Sequence, residues 1–228
     1  MPQALVFGGT GAIGSAVAAG LEGAGFAVAR TGRRGEDGAL PVDPVEGPPG
    51  LAALDGLPSL DAVVWAQGAN LNDSAREVRV ESYEEVMAAN VTYVVASLGH
   101  LLRTGGLATP ARMVVISSIW ERVARPGKFS YTVSKAALGG LVRAAAADLA
   151  SDGHLINAVG PGVTDTAMTR AMLSQAQIDG MSDQTGFGRL TAVEDVVAMV
   201  VHLCSEANSG VTGQSILVDL GFASGRRL

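Results

Sequence analysis

Cysteine, histidine and aromatic side chains are scarce in this chain of 228 residues. The one cysteine, Cys204, excludes an intrachain disulfide, and no cluster of cysteine and histidine has the spacing of a metal site. Excess positive charge is also missing, because 16 lysines and arginines face 22 acidic residues and leave a formal net charge of −6. We therefore predict no metal, no nucleic-acid or membrane partner, and a reducing compartment such as the cytoplasm.

The chain is rich in small and apolar residues. Hydrophobic residues make up 48% of it and aromatic residues only 4%, with 30 glycines. This composition is typical of a soluble α/β protein with closely packed small side chains. Residues 4–21 resemble the apolar middle of a signal peptide, but they lack a positively charged start and are interrupted by glycines. We interpret them as part of the fold.

Continuous apolar runs alternate with helical patterns along the whole chain. Such runs predict strands that are covered on both faces, as in a parallel sheet wrapped by helices. The sequence thus predicts an α/β fold: a single Rossmann-like domain over residues 1–228, with a doubly wound parallel sheet and helices on both faces. The segment around 35–40 is too short for a helical crossover, so we predict a loop there. The predicted strands are 4–7, 26–30, 40–42, 61–66, 112–117, 154–159 and 215–219, and the predicted helices are 13–24, 81–103, 131–151 and 192–205.

A glycine-rich segment, "LVFGGTGAIGSAVA", follows the first predicted strand and opens the first predicted helix. Gly8, Gly11 and Gly14 would form a tight turn, let the backbone approach a pyrophosphate, and let the helix pack closely on its strand. The same glycines are compatible with a generic turn. The position between a strand and a helix favours a dinucleotide site, with Ile13 as a further contact.

The end of the second strand bears on the choice of cofactor. An acidic residue there would bind an NAD ribose, whereas arginine accommodates the 2′-phosphate of NADP. Here the strand ends in "ARTGRR", so that Arg33 and Arg34 follow it and no acid comes before Glu36. We predict that NADP(H) is preferred and that NAD(H) is possible, although the two arginines could also belong to a solvated turn.

Several further motifs follow in a recognisable order. Asn90 lies in "AANVT", Ser118 in "VVISS", and Tyr131 and Lys135 in "YTVSK", with Ser118 thirteen residues before the tyrosine. "NAVGPG" over 157–162 and "TGQSILVD" over 212–219 complete the series. Over nearly the whole chain this order resembles the short-chain dehydrogenase/reductase family, and the later half is similar to its 3-oxoacyl-[acyl-carrier-protein] reductases.

The resemblance implies a catalytic set of four residues. Tyr131 would be the acid or base at the carbonyl oxygen, and Lys135 would stabilise its phenolate and bind the nicotinamide ribose. Ser118 would orient the substrate carbonyl, and Asn90 would hold a water that resupplies protons. Taken one at a time, Ser118 could equally be a strand-end cap, Asn90 a buried helix amide and Lys135 a surface charge.

The resemblance also implies contacts to the cofactor beyond the glycine turn. "PGVTDT" would form the turn that faces the nicotinamide, and Asp43 would lie beside the adenine, a placement that the short preceding loop leaves open. The residues implied in this way are Asp43, Ala66, Gly68, Tyr131, Lys135, Pro161, Gly162, Val163 and Thr166.

One segment departs from the family pattern, and a second lies where the family covers its substrate. The family's "NNAG" is "WAQG" here, and Trp65 and Gln67 could either repack the same space or remodel the edge of the cofactor site. Residues 168–184 follow the nicotinamide turn, where the family places helices that cover the substrate. Their methionines and leucine could close over a moderately apolar substrate or serve as packing.

The function implied is hydride transfer between NADP(H) and a ketone or secondary alcohol, with a 3-oxoacyl thioester as one substrate. An NAD(H)-dependent dehydrogenase of a small cyclic alcohol or diol is the alternative. A non-catalytic dinucleotide sensor or scaffold is the alternative from another class. The small residues after Lys135 and the analogy with relatives predict a homo-oligomer, a tetramer or dimer.

Overall fold

The structure is a computed structural model that describes residues 1–32, 35, 38–42, 48–166, 169–170 and 173–225. Its strands are β1 (Gln3–Phe7), β2 (Ala27–Gly32), β3 (Leu40–Pro41), β4 (Leu60–Trp65), β5 (Leu107–Ile116), β6 (Leu155–Pro161) and β7 (Ser215–Val218). Its α-helices with described bounds are α1 (Ala12–Gly23), α2 (Val80–Met87), α3 (Tyr93–Thr104), α4 (Phe129–Asp148), α5 (Gln175–Gln184) and α6 (Val193–Cys204). Short 3-10 helices cover Pro48–Leu54, Ile119–Glu121 and Ala150–Asp152.

The seven strands form one parallel sheet in the order β3-β2-β1-β4-β5-β6-β7. The order reverses between β1 and β4, and in doubly wound sheets a crevice opens at that point beyond the carboxyl ends of the strands. The predicted Rossmann-like sheet is confirmed. The site that the sequence predicts belongs to this crevice.

Alternate residues of the central strands enter two separate hydrophobic cores, one on each face of the sheet. Leu5, Phe7 and Trp65 pack toward α3 and α4, with Leu138 of α4 fully buried among them. Their neighbours on the strands pack toward α1 and α6, together with Val196. Both faces are therefore covered, which explains why the strands read as continuous apolar runs.

The observed strands differ from the predicted ones mainly at their ends. β5 begins five residues earlier than predicted, and its first residue, Leu107, pairs with Leu60 before a register shift. Residues 107–111 are only partly apolar, so hydrophobicity gave no signal for them. The connection from β2 to β3 spans residues 33–39, too few for a helical crossover.

The single long helix predicted over 81–103 is interrupted. α2 and α3 are joined by a π-helical turn, Ala88–Thr92, that contains the buried Asn90. Insertions of this kind are frequent at functional sites. The span Val80–Thr104 is long and apolar enough to cross a membrane. Core helices of soluble proteins can have the same length and composition, and 44% of the most apolar 18-residue stretch of this span is buried in the fold.

Candidate active site

The glycine turn has the shape expected of a dinucleotide cradle. Gly8 has a φ of +70°, and a Cβ there would lie 2.7 Å from the Gln67 backbone nitrogen. A Cβ on Gly14 would lie 2.1 Å from the Gly8 carbonyl oxygen. Both positions therefore require glycine. Gly11 is the N-cap residue of α1, which has no side-chain cap and no acidic residue in its first turn, so the backbone N–H groups at this end suit an anion.

A cleft of about 370 Å³ opens beside this turn, at the carboxyl ends of the central strands. It brings together predicted residues from segments that are far apart in sequence, from α1 to the loop after β6. The predicted residues that line it are Ile13, Ala66, Gly68, Ser118, Tyr131, Lys135, Pro161, Gly162, Val163 and Thr166.

Tyr131 and Ser118 meet inside the cleft. Burial raises the pKa of Tyr131, and a hydrogen bond with the Ser118 side chain acts in the opposite direction. Ser118 also accepts a hydrogen bond from the Trp120 backbone N–H at 3.3 Å, which caps the short helix after β5. Capping this helix therefore does not prevent the Ser118 hydroxyl from facing Tyr131.

Lys135 lies one turn along α4 from Tyr131, and 4% of its surface is exposed. Its Nζ is 5.6 Å from the centre of the tyrosine ring and donates to the Ile116 carbonyl oxygen at 2.9 Å. Burial lowers the pKa of Lys135 to about 8, and the Glu121 carboxylate acts in the opposite direction. Burial also outweighs any lowering of the tyrosine pKa, so the phenol holds its proton at neutral pH.

Asn90 lies behind the cleft rather than in its wall. Its Oδ1 accepts from the Ala69 N–H at 2.7 Å, while its Nδ2 donates to the Ala69 carbonyl at 3.0 Å and to the Ser134 hydroxyl at 2.8 Å. The side chain thus ties the loop after β4 to the middle of α4. A Cβ on Gly68 would lie 2.8 Å from Asn90 Oδ1 and 3.8 Å from Lys135 Nζ, which places the asparagine close to the lysine.

The turn after β6 has its own hydrogen bonds. The Val163 carbonyl accepts from the Thr191 N–H at 3.1 Å, and the Thr166 hydroxyl accepts from the Thr169 N–H at 3.2 Å. From the predicted lid over 168–184, Leu173 and Met181 line the cleft. The predicted residues Arg33, Arg34 and Asp43, and Met168 of the lid, lie outside the described residues.

The "WAQG" segment divides between the core and the cleft. Trp65 is 1% exposed, stacks on Phe7 with ring centres 5.7 Å apart, and donates from Nε1 to the Ser97 hydroxyl at 2.8 Å. Gln67 lines the cleft, and its two side-chain polar atoms are buried without a hydrogen-bond partner among the described residues. Trp65 therefore repacks the core, and the amide of Gln67 is placed to meet a polar ligand.

Sequence reasoning missed a second lysine at the tyrosine. The chain has two lysines, and Lys128 precedes α4 with its Nζ 5.7 Å from the centre of the Tyr131 ring. It is 5% exposed and donates to Asn70 Oδ1 at 2.7 Å. Arg125 lines the same part of the cleft. The chain's only lysines flank the tyrosine, a signal that was available in the composition.

Two acidic residues near the predicted site, Glu121 and Asp165, are engaged by neighbouring side chains. Glu121 accepts from the Ser117 hydroxyl at 2.7 Å, and Asp165 forms an ion pair with Arg170 in which Nη2 and Oδ2 are 2.6 Å apart. Neither acid lines the cleft.

A family model described as "Enoyl-(Acyl carrier protein) reductase" matches residues 52–223. The chain is similar to the 3-oxoacyl-[acyl-carrier-protein] reductase FabG of Aquifex aeolicus, with 30% identity over 240 residues that cover 95% of each protein.

Two dehydrogenases that are named for gluconate are also similar. The gluconate 5-dehydrogenase of Gluconobacter oxydans is 30% identical over 243 residues, which cover 96% of this chain and 93% of that protein. A crystal structure of a gluconate 5-dehydrogenase from Burkholderia cenocepacia, in complex with NADP and tartrate, has a TM-score of 0.89 and 25% identity. It covers 99% of this chain and 96% of that one.

Proposed function

The chain belongs to the short-chain dehydrogenase/reductase family, oxidoreductases that act on alcohols and ketones with NAD(P), and on this premise we propose that it is an NADP(H)-dependent reductase of a ketone. The observation that carries the proposal is the meeting of Tyr131, Ser118 and Lys135 in one cleft beside a glycine cradle. The reverse reaction, oxidation of a secondary alcohol, uses the same groups.

The proton transfer is assigned to Tyr131. Reduction adds a hydride to the carbonyl carbon and a proton to the carbonyl oxygen, so the site needs an acid that is protonated at neutral pH. The raised pKa of the buried Tyr131 meets that need. Ser118, as hydrogen-bond partner of the tyrosine, would hold the same carbonyl oxygen and stabilise the charge that develops there.

Lys135 is assigned to the electrostatics of the tyrosine and to the nicotinamide ribose. Its ammonium would favour the phenolate that forms when Tyr131 gives up its proton. We propose Asn90 as the residue that positions a proton-relay water behind Lys135. The three hydrogen bonds of its side chain to Ala69 and Ser134 hold it in a fixed position behind the cleft.

The residues present fit a nicotinamide dinucleotide. Gly8, Gly11 and Gly14 would hold the pyrophosphate at the start of α1, and Ala66 and Gly68 would line the edge of the cofactor. Pro161, Gly162, Val163 and Thr166 would hold the carboxamide. When bound, the cofactor supplies the hydride for reduction.

The preference for NADP(H) rests on the sequence. Arg33 and Arg34 follow β2 with no acid before Glu36, and arginine at this point suits a 2′-phosphate. Asp43 is proposed beside the adenine. NAD(H) use is the alternative, and direct titration distinguishes the two, because tighter binding of NADH than NADPH would contradict the assignment.

A 3-oxoacyl thioester is the first substrate candidate, supported by similarity to the FabG reductase. The alternative is oxidation of a small cyclic alcohol or diol with NAD(H); similarity to gluconate 5-dehydrogenase supports a hydroxylated substrate, not the choice of cofactor. A non-catalytic sensor of the dinucleotide remains the alternative from another class. A sensor would not need the proton donor that we assign to Tyr131.

Consumption of NADPH over a panel of ketones, after cofactor binding has been shown, tests the proposed function. We expect turnover of at least one ketone and faster turnover with NADPH than with NADH. Tight NADPH binding without turnover of any ketone, and without oxidation of any alcohol in the presence of NADP, would favour the sensor.

We also propose a homo-oligomer, a dimer or tetramer, in the cytoplasm. The exposed residues Ala136, Ala144 and Ala147 on α4 would let a second copy approach closely. Light scattering that finds only monomer would contradict this proposal.

A further inference from the structure

The part of the cleft away from the glycine cradle carries positive charge without negative charge. Arg125 and Lys128 line it, Lys135 Nζ lies 5.6 Å from the centre of the Tyr131 ring, and no carboxylate among the described residues lines the cleft. The chain as a whole has a formal net charge of −6. The local excess of cations is therefore contrary to the overall composition.

Lys128 is a buried cation without an ion pair. Its hydrogen-bond acceptor is the neutral amide oxygen of Asn70, and within the described part of the chain it makes no salt bridge. The charge of the Asp73 carboxylate raises the pKa of Lys128, but this carboxylate accepts its hydrogen bonds from the N–H and the hydroxyl of Ser130. Burying an unpaired charge is costly, so a site of this kind is suited to an anion that completes the pair.

Arg125 adds a second cation that faces the same space. Its guanidinium lies over the Trp120 ring, 5.5 Å from the ring centre, and its Nε is buried without a hydrogen-bond partner among the described residues. Arg125 is close enough to Lys128 that its charge contributes to lowering the lysine pKa. Two like charges that face one cleft repel each other until an anion lies between them, and the guanidinium plane is well shaped for a carboxylate.

We propose that the substrate carries a carboxylate only a few bonds from its reacting carbonyl, and that Lys128 binds this carboxylate together with Arg125. The proposal rests on the proposed function, because it places the carbonyl at Tyr131. Lys128 Nζ is 5.7 Å from the centre of the tyrosine ring, so a group bound there lies beside the reacting atoms. Asn70 fixes the lysine in place.

The size of the cleft supports a compact substrate. Its volume of about 370 Å³ is at the lower end of the roughly 300–1,000 Å³ typical of ligand pockets, and it must hold the nicotinamide as well. A short keto acid or hydroxy acid fits this space better than a long acyl chain. The cations and the small volume of the cleft thus favour a small anionic substrate over an acyl thioester, whose reacting end is neutral.

Matched pairs of ketones test the inference. The pairs are 3-oxobutanoate with its methyl ester and 4-oxopentanoate with its methyl ester, which differ at the carboxylate alone. For the wild type with NADPH we expect a kcat/KM at least about 10-fold higher for the acid of a pair than for its ester, from charge-assisted hydrogen bonds to the carboxylate.

The variant Lys128→Met removes the charge and keeps the length of the side chain. We expect kcat/KM for the acid to fall by about 10- to 100-fold, mainly through KM, while the value for the ester stays within about threefold. Lys128→Arg should retain the preference for the acid. Arg143→Met, which removes an exposed cation from α4 outside the cleft lining, is the matched control and should change neither value.

Binding provides a readout that does not depend on turnover. Calorimetric titration of the NADP-loaded protein should show that the acid binds more tightly than the ester, and that Lys128→Met removes the difference. Equal affinity of acid and ester for the wild type, including no binding of either, overturns the inference. Equal losses for acid and ester in Lys128→Met overturn it as well. Failure of the proposed function alone would appear differently, as selective binding of the acid without turnover of any ketone.

Discussion

Replacing Lys135 with methionine should change how the stability of the protein depends on pH. Lys135 is 4% exposed, and burial lowers its pKa from 10.5 to about 8. In the unfolded chain the same amine titrates at its ordinary value. Methionine fills a similar volume and does not titrate, so a comparison of the two proteins isolates the cost of burying this charge.

The sign follows from proton binding in the two states. Between about pH 8 and about pH 10.5 the unfolded state holds a proton on Lys135 that the folded state has lost, so the free energy of unfolding rises with pH. The full shift corresponds to about 3 kcal/mol, at about 1.4 kcal/mol for each pKa unit. From about pH 7.5 to about pH 9.5 the wild type should therefore gain about 2 kcal/mol relative to Lys135→Met. Below this window the charge is fully present in both states and its burial cost is constant.

Urea denaturation at a series of pH values, followed by circular dichroism, measures this difference. The exposed Arg143→Met variant is the control, because arginine does not titrate in this range and its offset from the wild type should stay constant. If the difference between wild type and Lys135→Met is also constant from about pH 7.5 to about pH 9.5, the lysine is not buried as a titrating amine and the reasoning is refuted.

Three further outcomes are expected. Gly14→Ala should destabilise the fold by about 3 kcal/mol and weaken NADPH binding, because the new Cβ would lie 2.1 Å from the Gly8 carbonyl; denaturation and cofactor titration measure both. Trp65→Phe should cost about 1–2 kcal/mol, because it removes the hydrogen bond to Ser97, yet leave NADPH affinity unchanged. Burial raises the pKa of Cys204 to about 12, so a thiol reagent at neutral pH should label it only after unfolding, and labelling of the native protein would contradict the burial.

Much of the fold could be predicted from the sequence because its signals are local. Strands covered on both faces read as apolar runs, and the glycine turn has a fixed spacing between a strand and a helix. The turn at Ala88–Thr92 was missed, because its buried residue Asn90 is held by Ser134, 44 positions later in the chain. Helical periodicity alone predicted an unbroken helix there.

The candidate site was less predictable where it depends on tertiary contacts. The position of Lys128 is set by Asn70, which lies 58 residues earlier, and no local pattern connects the two. The pKa directions of Tyr131 and Lys135 follow from burial, which spacing along a helix does not reveal. The helical spacing of Tyr131 and Lys135 predicted that their side chains are neighbours. Their protonation states follow from burial, which is known only from the structure.

The most direct test of the account is the Tyr131→Phe variant, measured for both cofactor affinity and turnover. Phenylalanine keeps the ring and removes the hydroxyl that we assign to proton transfer. We expect the dissociation constant for NADPH to stay within about threefold of the wild type, while kcat falls by about 100- to 10,000-fold. Thr132→Val, which removes from α4 a hydroxyl that has no hydrogen-bond partner among the described residues and does not line the cleft, is the control for helix perturbation. A Tyr131→Phe variant that binds NADPH and reduces ketones at the wild-type rate would contradict the central claim.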